Sequence, residues 1–178
     1  LYSGASVPYK YKGANQTANY TNDFSSAAGF VNYSNSTVAL ESNQLKITMG
    51  NTFGYVRVDI TTPLTIGKAY RLKYDLKTVS DSNRITNVQV GTSGTYGSGT
   101  YQTDPTNRGG AVDNITWEFV ATGAHAYIYL NYDDGAVGNY FKIDNFSIVP
   151  IGAVAEYDGS GATGAKWYDK SGNNLDGT

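Results

Sequence analysis

Apolar and polar residues alternate one by one through the middle of this chain. The run 69–78 (AYRLKYDLKT) sets Tyr70, Leu72, Tyr74 and Leu76 on one side and Arg71, Lys73, Asp75 and Lys77 on the other. In 55–60 (YVRVDI), Val56, Val58 and Ile60 oppose Tyr55, Arg57 and Asp59; in 44–49 (QLKITM), Leu45 and Ile47 oppose Lys46 and Thr48. A strict period of two marks strands with one dry and one wet face. Further strand runs occupy 84–90, 114–122, 126–132 and 140–149. Turn signals such as TTPLTIGK, SDSN, TDPTNRGG and DDGAVGN separate them. No stretch carries a helical period. The pattern predicts an all-β fold, an antiparallel β-sandwich of the jelly-roll kind.

Parity then assigns faces. In 126–132, Ala126, Ile128 and Leu130 take the core side, which turns Tyr127, Tyr129 and Asn131 outward. In 84–90, Thr86, Val88 and Val90 point inward if Asn87 and Gln89 point out. Trp117 falls on the core side with Ile115 and Phe119. If the strands at 69–78, 84–90 and 126–132 share one sheet, its open face carries tyrosines, amides, Arg71 and Asp75. An outward tyrosine on a strand is also simply a good β-former covering sheet surface. The longest break, 91–110, holds Tyr96, Tyr101 and Arg108, and long loops in compact domains tend to be functional or mobile.

Composition narrows the function classes. The chain has 178 residues, room for one domain with tails. It has no cysteine, which removes disulfides, thiolate metal sites and cysteine nucleophiles together. Charged residues make up 16% with a formal net charge of −2, so no basic stripe offers itself to nucleic acid. No apolar run approaches the ~20 residues of a membrane-spanning helix. Tyrosine stands out, with 16 Tyr against 6 Phe and 2 Trp. Its ring is apolar and its tip forms hydrogen bonds, which suits a surface that recognises polar molecules.

Sharper-looking motifs lose their edge in context. GSGATG (159–164) fits a dinucleotide-binding pattern but lacks the strand, helix and acid around it. DKSGNNLDG (169–177) begins like a calcium loop, yet Asn174 stands where the turn glycine belongs. His125, the single histidine, sits beside a turn and reads as solvated, with no triad partners placed for it. Asp133 and Asp134 are adjacent, whereas a glycosidase pair must flank the bond ~5–9 Å apart. Sequons such as Asn19 and Asn35 arise by chance in a chain this rich in Asn, Ser and Thr.

Three segments carry a family likeness. TNDFSS (21–26), TTPLTIGKAYRLKYDLKT (61–78) and YFKIDNFSIV (140–149) together resemble the jelly-roll carbohydrate-binding modules of families four, nine and twenty-two. The resemblance covers about residues 21–150. It implies a non-catalytic module whose aromatic rings stack on sugar and whose amides, carboxylates and Arg bond the hydroxyls. Tyr127, Tyr129, Asn131, Asn87, Gln89, Arg71 and Asp75 are the residues it points to. It also implies a structural calcium between the first and last strands, with Asp144, Asp23 and Asn22 as ligands, although Ser25 and Ser26 stand where an acid is common.

The ends suggest a larger protein. Residues 1–20 read as an extended segment resembling the close of a laminin-G-like domain, and 151–178 as a linker followed by the opening of another. Such strings resemble phage tail fibres or secreted adhesins. The expected partner is a polysaccharide or cell-surface glycan, the setting extracellular or virion, and the assembly a homotrimer if the chain belongs to a tail fibre. Nucleic acid and membrane insertion are not expected. Two rival classes stay open: a structural spacer without ligand, and an accessory domain of a polysaccharide-degrading enzyme.

Overall fold

A computed structural model describes residues 18–26, 29–33, 36–51, 54–80, 85–106, 110–133 and 136–151. The expectations for 1–17 and 152–178, including the laminin-G-like ends and the linker, lie outside the described residues. Among the described residues eleven strands follow one another: β1 (Tyr20–Asn22), β2 (Phe30–Tyr33), β3 (Thr37–Glu41), β4 (Gln44–Thr48), β5 (Gly54–Asp59), β6 (Ala69–Val79), β7 (Ile85–Gly91), β8 (Tyr101–Thr103), β9 (Val112–Val120), β10 (Tyr127–Asp133) and β11 (Tyr140–Ile151). They form two antiparallel sheets, β3-β4-β11-β6-β9 with β1 also on β11, and β2-β5-β10-β7-β8. This is the expected all-β sandwich.

The period-two pattern places the core. Leu45, Ile47, Leu72, Leu76, Ile143 and Ile148 of the first sheet meet Val56, Val58, Val90, Ile128 and Leu130 of the second, all but sealed from solvent. Each such side chain contributes about 1.5–3 kcal/mol by leaving water. Trp117 joins Ile115 and Phe119 in that core, as parity requires, and stacks on Phe119 at 4.2 Å. Ser42 and Asn43, both at positive φ (55° and 58°), close β3 onto β4 in the two-residue hairpin whose twist suits paired strands.

Alternation breaks at one place that matters for the site. In β6, Tyr74, Asp75 and Leu76 are buried in succession, and the register against β9 shifts between Tyr74 and Leu76. Opposite, β11 bulges between Asp144 and Ser147. Asp75 seals both irregularities. Its Oδ1 accepts the backbone N–H of Asn114 (2.7 Å) and its Oδ2 accepts Asn145 Nδ2 (2.7 Å). Asn114 and Asn145 both have positive φ, 57° and 52°, a conformation asparagine tolerates better than most residues.

Two sequence readings need correction here. Arg71 and Asp75 do not share a sheet with β7 and β10; they lie on the outer face of the other sheet, because β6 pairs with β9 and β11. Arg71 is spent on Glu118 (2.8 Å), and Asp75 on the bulges and Lys77 (3.0 Å). The second correction is β8, a three-residue strand inside the long break, which returns the chain onto β7 through Gln89↔Thr103 and Gly91↔Tyr101.

Candidate functional site

The outer face of the five-stranded sheet gathers the remaining predicted residues into cross-strand rows. Tyr127 pairs with Asp59 of β5 and Gly91 of β7; Tyr129 with Arg57 and Gln89; Asn131 with Tyr55 and Asn87. Residues directly opposite across antiparallel strands point to the same face. Tyr127, Tyr129, Asn131, Asn87 and Gln89 are thus brought together as parity predicts, and Tyr55, Arg57 and Asp59 join them. The core neighbours Ile128 and Leu130, at 0% and 2% exposure, face the other way.

Facing outward is not the same as being exposed. Tyr129, Asn131 and Gln89 are 1%, 1% and 3% exposed. The loop between β7 and β8, residues 92–100, folds back over them. Tyr129 Oη donates to the carbonyl of Ser93. Asn131 Nδ2 donates to Tyr96 Oη at 2.7 Å, Gly97 N–H to Gln89 Oε1 at 3.3 Å, and Gln89 Nε2 to Thr103 Oγ1 at 3.2 Å. Asn131 Oδ1 in turn accepts the backbone N–H of Asn87 at 3.2 Å. Tyr96 stacks on Tyr55 (5.2 Å, 29°) and meets Tyr129 edge-on (5.6 Å, 83°). The expectation that Tyr129, Asn131 and Gln89 touch a ligand is therefore corrected: they are the floor beneath a loop. Parity along a strand cannot see a loop arriving from elsewhere.

Tyr127 stays partly exposed. The Arg57 guanidinium lies over its ring at 4.8 Å and is fixed there by Gly94 O (2.9 Å) and Asp59 (3.0 Å). Gly94 leaves room for that guanidinium: a Cβ would come within 2.7 Å of Arg57 Nη1, so the side chain would have to shift. Along the same row, across Gly91, β8 presents Tyr101 at 49% exposure. Tyr55, Arg57, Tyr96 and Tyr101 were legible as residues but not as members of one surface, since three elements bring them together.

The loop is tied at its base. Thr92 N–H donates to Thr100 O (3.0 Å) and Thr100 N–H to Thr92 Oγ1 (3.1 Å). Below the base, His125 is fully buried, not solvated as its turn position suggested. Its Nε2 lies 2.9 Å from Gln102 Oε1, which also accepts Thr122 N–H. Burial pushes its pKa below the usual histidine range, against a smaller opposing pull from the Thr100 backbone.

The predicted metal residues lie on the other sheet's side. A polar cleft of about 530 Å³ is lined by Thr21, Asn22, Asp23, Ser26, Asn145 and Phe146. Asp144 is not in that lining, and its Oδ1 accepts Asn145 N–H. Asn22 Oδ1 accepts Phe24 N–H and Asp23 Oδ1 accepts Ser25 N–H, which holds the Asp23 carboxyl below its usual range. Calcium takes six to eight oxygens, several of them carboxylate. The cleft supplies one carboxylate, and no cluster of three His, Cys, Asp or Glu stands among the described residues. The residues do not fit a calcium shell.

No protein-family model matches the chain, and no curated protein matches it by sequence. Solved structures do match. The CBM22-1 xylan-binding domain from Paenibacillus barcinonensis Xyn10C aligns with TM-score 0.54 and 14% identity over 79% of this chain and 97% of that one. A family 29 carbohydrate-binding module, CBM29-2, aligns with TM-score 0.50 and 13% identity over 76% and 90%. The enzymatically active domain of tailspike protein 4 from bacteriophage CBA120 aligns with TM-score 0.50 and 10% identity over 77% of this chain and 21% of that one. The sandwich is thus the fold of jelly-roll carbohydrate-binding modules.

Proposed function

We propose that this chain is a non-catalytic carbohydrate-binding module that holds a polysaccharide or cell-surface glycan against the outer face of the five-stranded sheet. The observation that carries this reading is Tyr127, a partly exposed ring held in place by Arg57 and flanked in its row by Asp59 and Tyr101. A sugar ring has an apolar C–H face and a polar rim, so its site needs an aromatic platform with a few placed polar groups. Asp59 is engaged with Arg57, which suits binding rather than acid–base work. The xylan-binding domain among the fold relatives makes xylan the first polymer to try. The fold it shares with part of a phage tailspike is in keeping with a virion setting.

The outer face of the other sheet carries charged side chains already engaged with one another among the described residues. Glu41 there bridges Lys46 (2.8 Å) and Lys142 (2.7 Å). Affinity electrophoresis against xylan, β-glucan, mannan and bacterial surface polysaccharides tests the proposal. Retardation by at least one polymer, lost in Tyr127→Ala, is expected; free migration through the whole panel would sink it.

A further inference from the structure

We infer that Tyr96, carried on the β7–β8 loop, is a second sugar-stacking ring of this surface, and that Tyr55, Tyr129 and Asn131 are positioning residues that hold it. This rests on the carbohydrate reading above. Tyr96 is partly exposed, while everything under it is sealed: Tyr129 and Asn131 at 1% and Tyr55 at 8%. Its ring lies on Tyr55, its edge meets Tyr129, and its hydroxyl takes the Asn131 amide. Three contacts in three directions leave the ring no rotamer freedom, which is what a stacking platform needs to avoid losing entropy on binding.

The loop beneath the ring is built to stay. Buried polar groups are costly unless bonded, and Tyr129, Asn131, Gln89 and Arg57 each spend a bond on it. Gly97 and Gly99, at φ 70° and 67°, allow its return, and the Thr92–Thr100 clasp closes the base. A loop pinned at four points, three of them by buried side chains and one by the half-buried Arg57, is a mount for what it presents.

The placement also sets the ligand class. Tyr96 stands over the Tyr55–Asn131 pair, and Tyr127 is four residues along β10 from Asn131, ~13 Å at the usual strand rise. Gly94 packs closely against Arg57 and Tyr127, so the loop that carries Tyr96 also reaches the Tyr127 ring. Two rings set at different points along one strand face suit an extended run of linked pyranoses crossing both, rather than a single sugar in a pocket.

The test is titration of soluble xylan and the other panel polymers into wild type, Tyr96→Ala, Tyr96→Phe and Tyr96→Trp. Tyr96→Ala should weaken the bound polymer about tenfold or more, and Tyr96→Phe should bind within about threefold of wild type, since the ring remains. Tyr96→Trp should bind and shift its emission on saturation, a signal that a purely structural residue would not give. Wild-type affinity in Tyr96→Ala overturns the assignment while leaving the carbohydrate reading intact. Tighter binding in that variant also overturns it, and marks the loop as a cover over Tyr55 and Tyr129. A wild type that binds no polymer overturns both.

Discussion

Tyr96 of the β7–β8 loop lies stacked on Tyr55 of β5, ring centroids 5.2 Å apart and planes 29° from parallel. That contact converts an open, tyrosine-lined sheet into a layered surface. The lower layer is Tyr55, Tyr129, Asn131 and Gln89, and the upper layer is what solvent and any ligand meet. Residues chosen by parity alone therefore divide into those sealed beneath the loop and those that reach solvent.

Tyr127 and Tyr129, two residues apart on one strand face, should separate on this basis. Tyr127→Ala is expected to abolish polysaccharide retention with a small change in melting temperature. Tyr129→Ala empties a sealed site under the loop and should cost about 3–5 kcal/mol, as large aromatic truncations do. Denaturant titration of both variants beside affinity electrophoresis checks the pair; equal stability losses would put Tyr127 in the floor as well.

Arg71 and Asp75 provide the control on sheet assignment. Arg71→Ala should leave polysaccharide affinity unchanged, because its sheet faces away from Tyr127. Asp75→Ala should leave binding intact too, but lower stability by about 1.5–3 kcal/mol, since it removes a charged acceptor from two bulges. Weakened binding in Arg71→Ala, with an unchanged melting curve, would return the charged face to the site.

Gly94→Ala tests the seat of the guanidinium. The added methyl would meet Arg57 Nη1 at 2.7 Å, so either Arg57 or the loop must move. A loss of about 1–3 kcal/mol, the usual range for overpacking, is expected together with weaker polysaccharide binding. Wild-type stability and affinity would show that the Arg57–Tyr127 arrangement is dispensable.

Acid should destabilise the fold through His125. Burial holds its folded-state pKa below the ordinary 6.5. Above pH 6.5 the ring is neutral folded or unfolded, and its contribution is whole. As pH falls below that value the unfolded chain takes the proton first, so stability drops until the folded pKa is passed. Asp75 adds a later loss. Burial pushes its pKa up, but bonds from Asn114, Asn145 and Lys77 outweigh that and hold it below 3.8, so its share fades only as pH falls past that point. Melting temperatures between pH 7.5 and 4.5 should decline, and His125→Asn should flatten the decline. An equal slope in the variant would assign the pH dependence elsewhere.

The alternation of Tyr70, Leu72, Tyr74 and Leu76, and its counterparts on β4, β5, β7, β9 and β10, determined the sandwich and most of its core from the sequence alone. A one-residue change of side is forbidden wherever one face must be dry, so period-two patterning is read reliably. The same rule put Tyr127, Tyr129, Asn131, Asn87 and Gln89 on a common outer face. Pairing between strands distant in the chain decided the rest. It sent β6, with Arg71 and Asp75, into the other sheet, and it hid a short β8 in a polar break. It also buried His125 beside Gln102 and laid Tyr96 over Tyr55. Those outcomes depend on which surfaces meet in space, and a local pattern of polar and apolar residues carries no term for a loop that folds back from another strand.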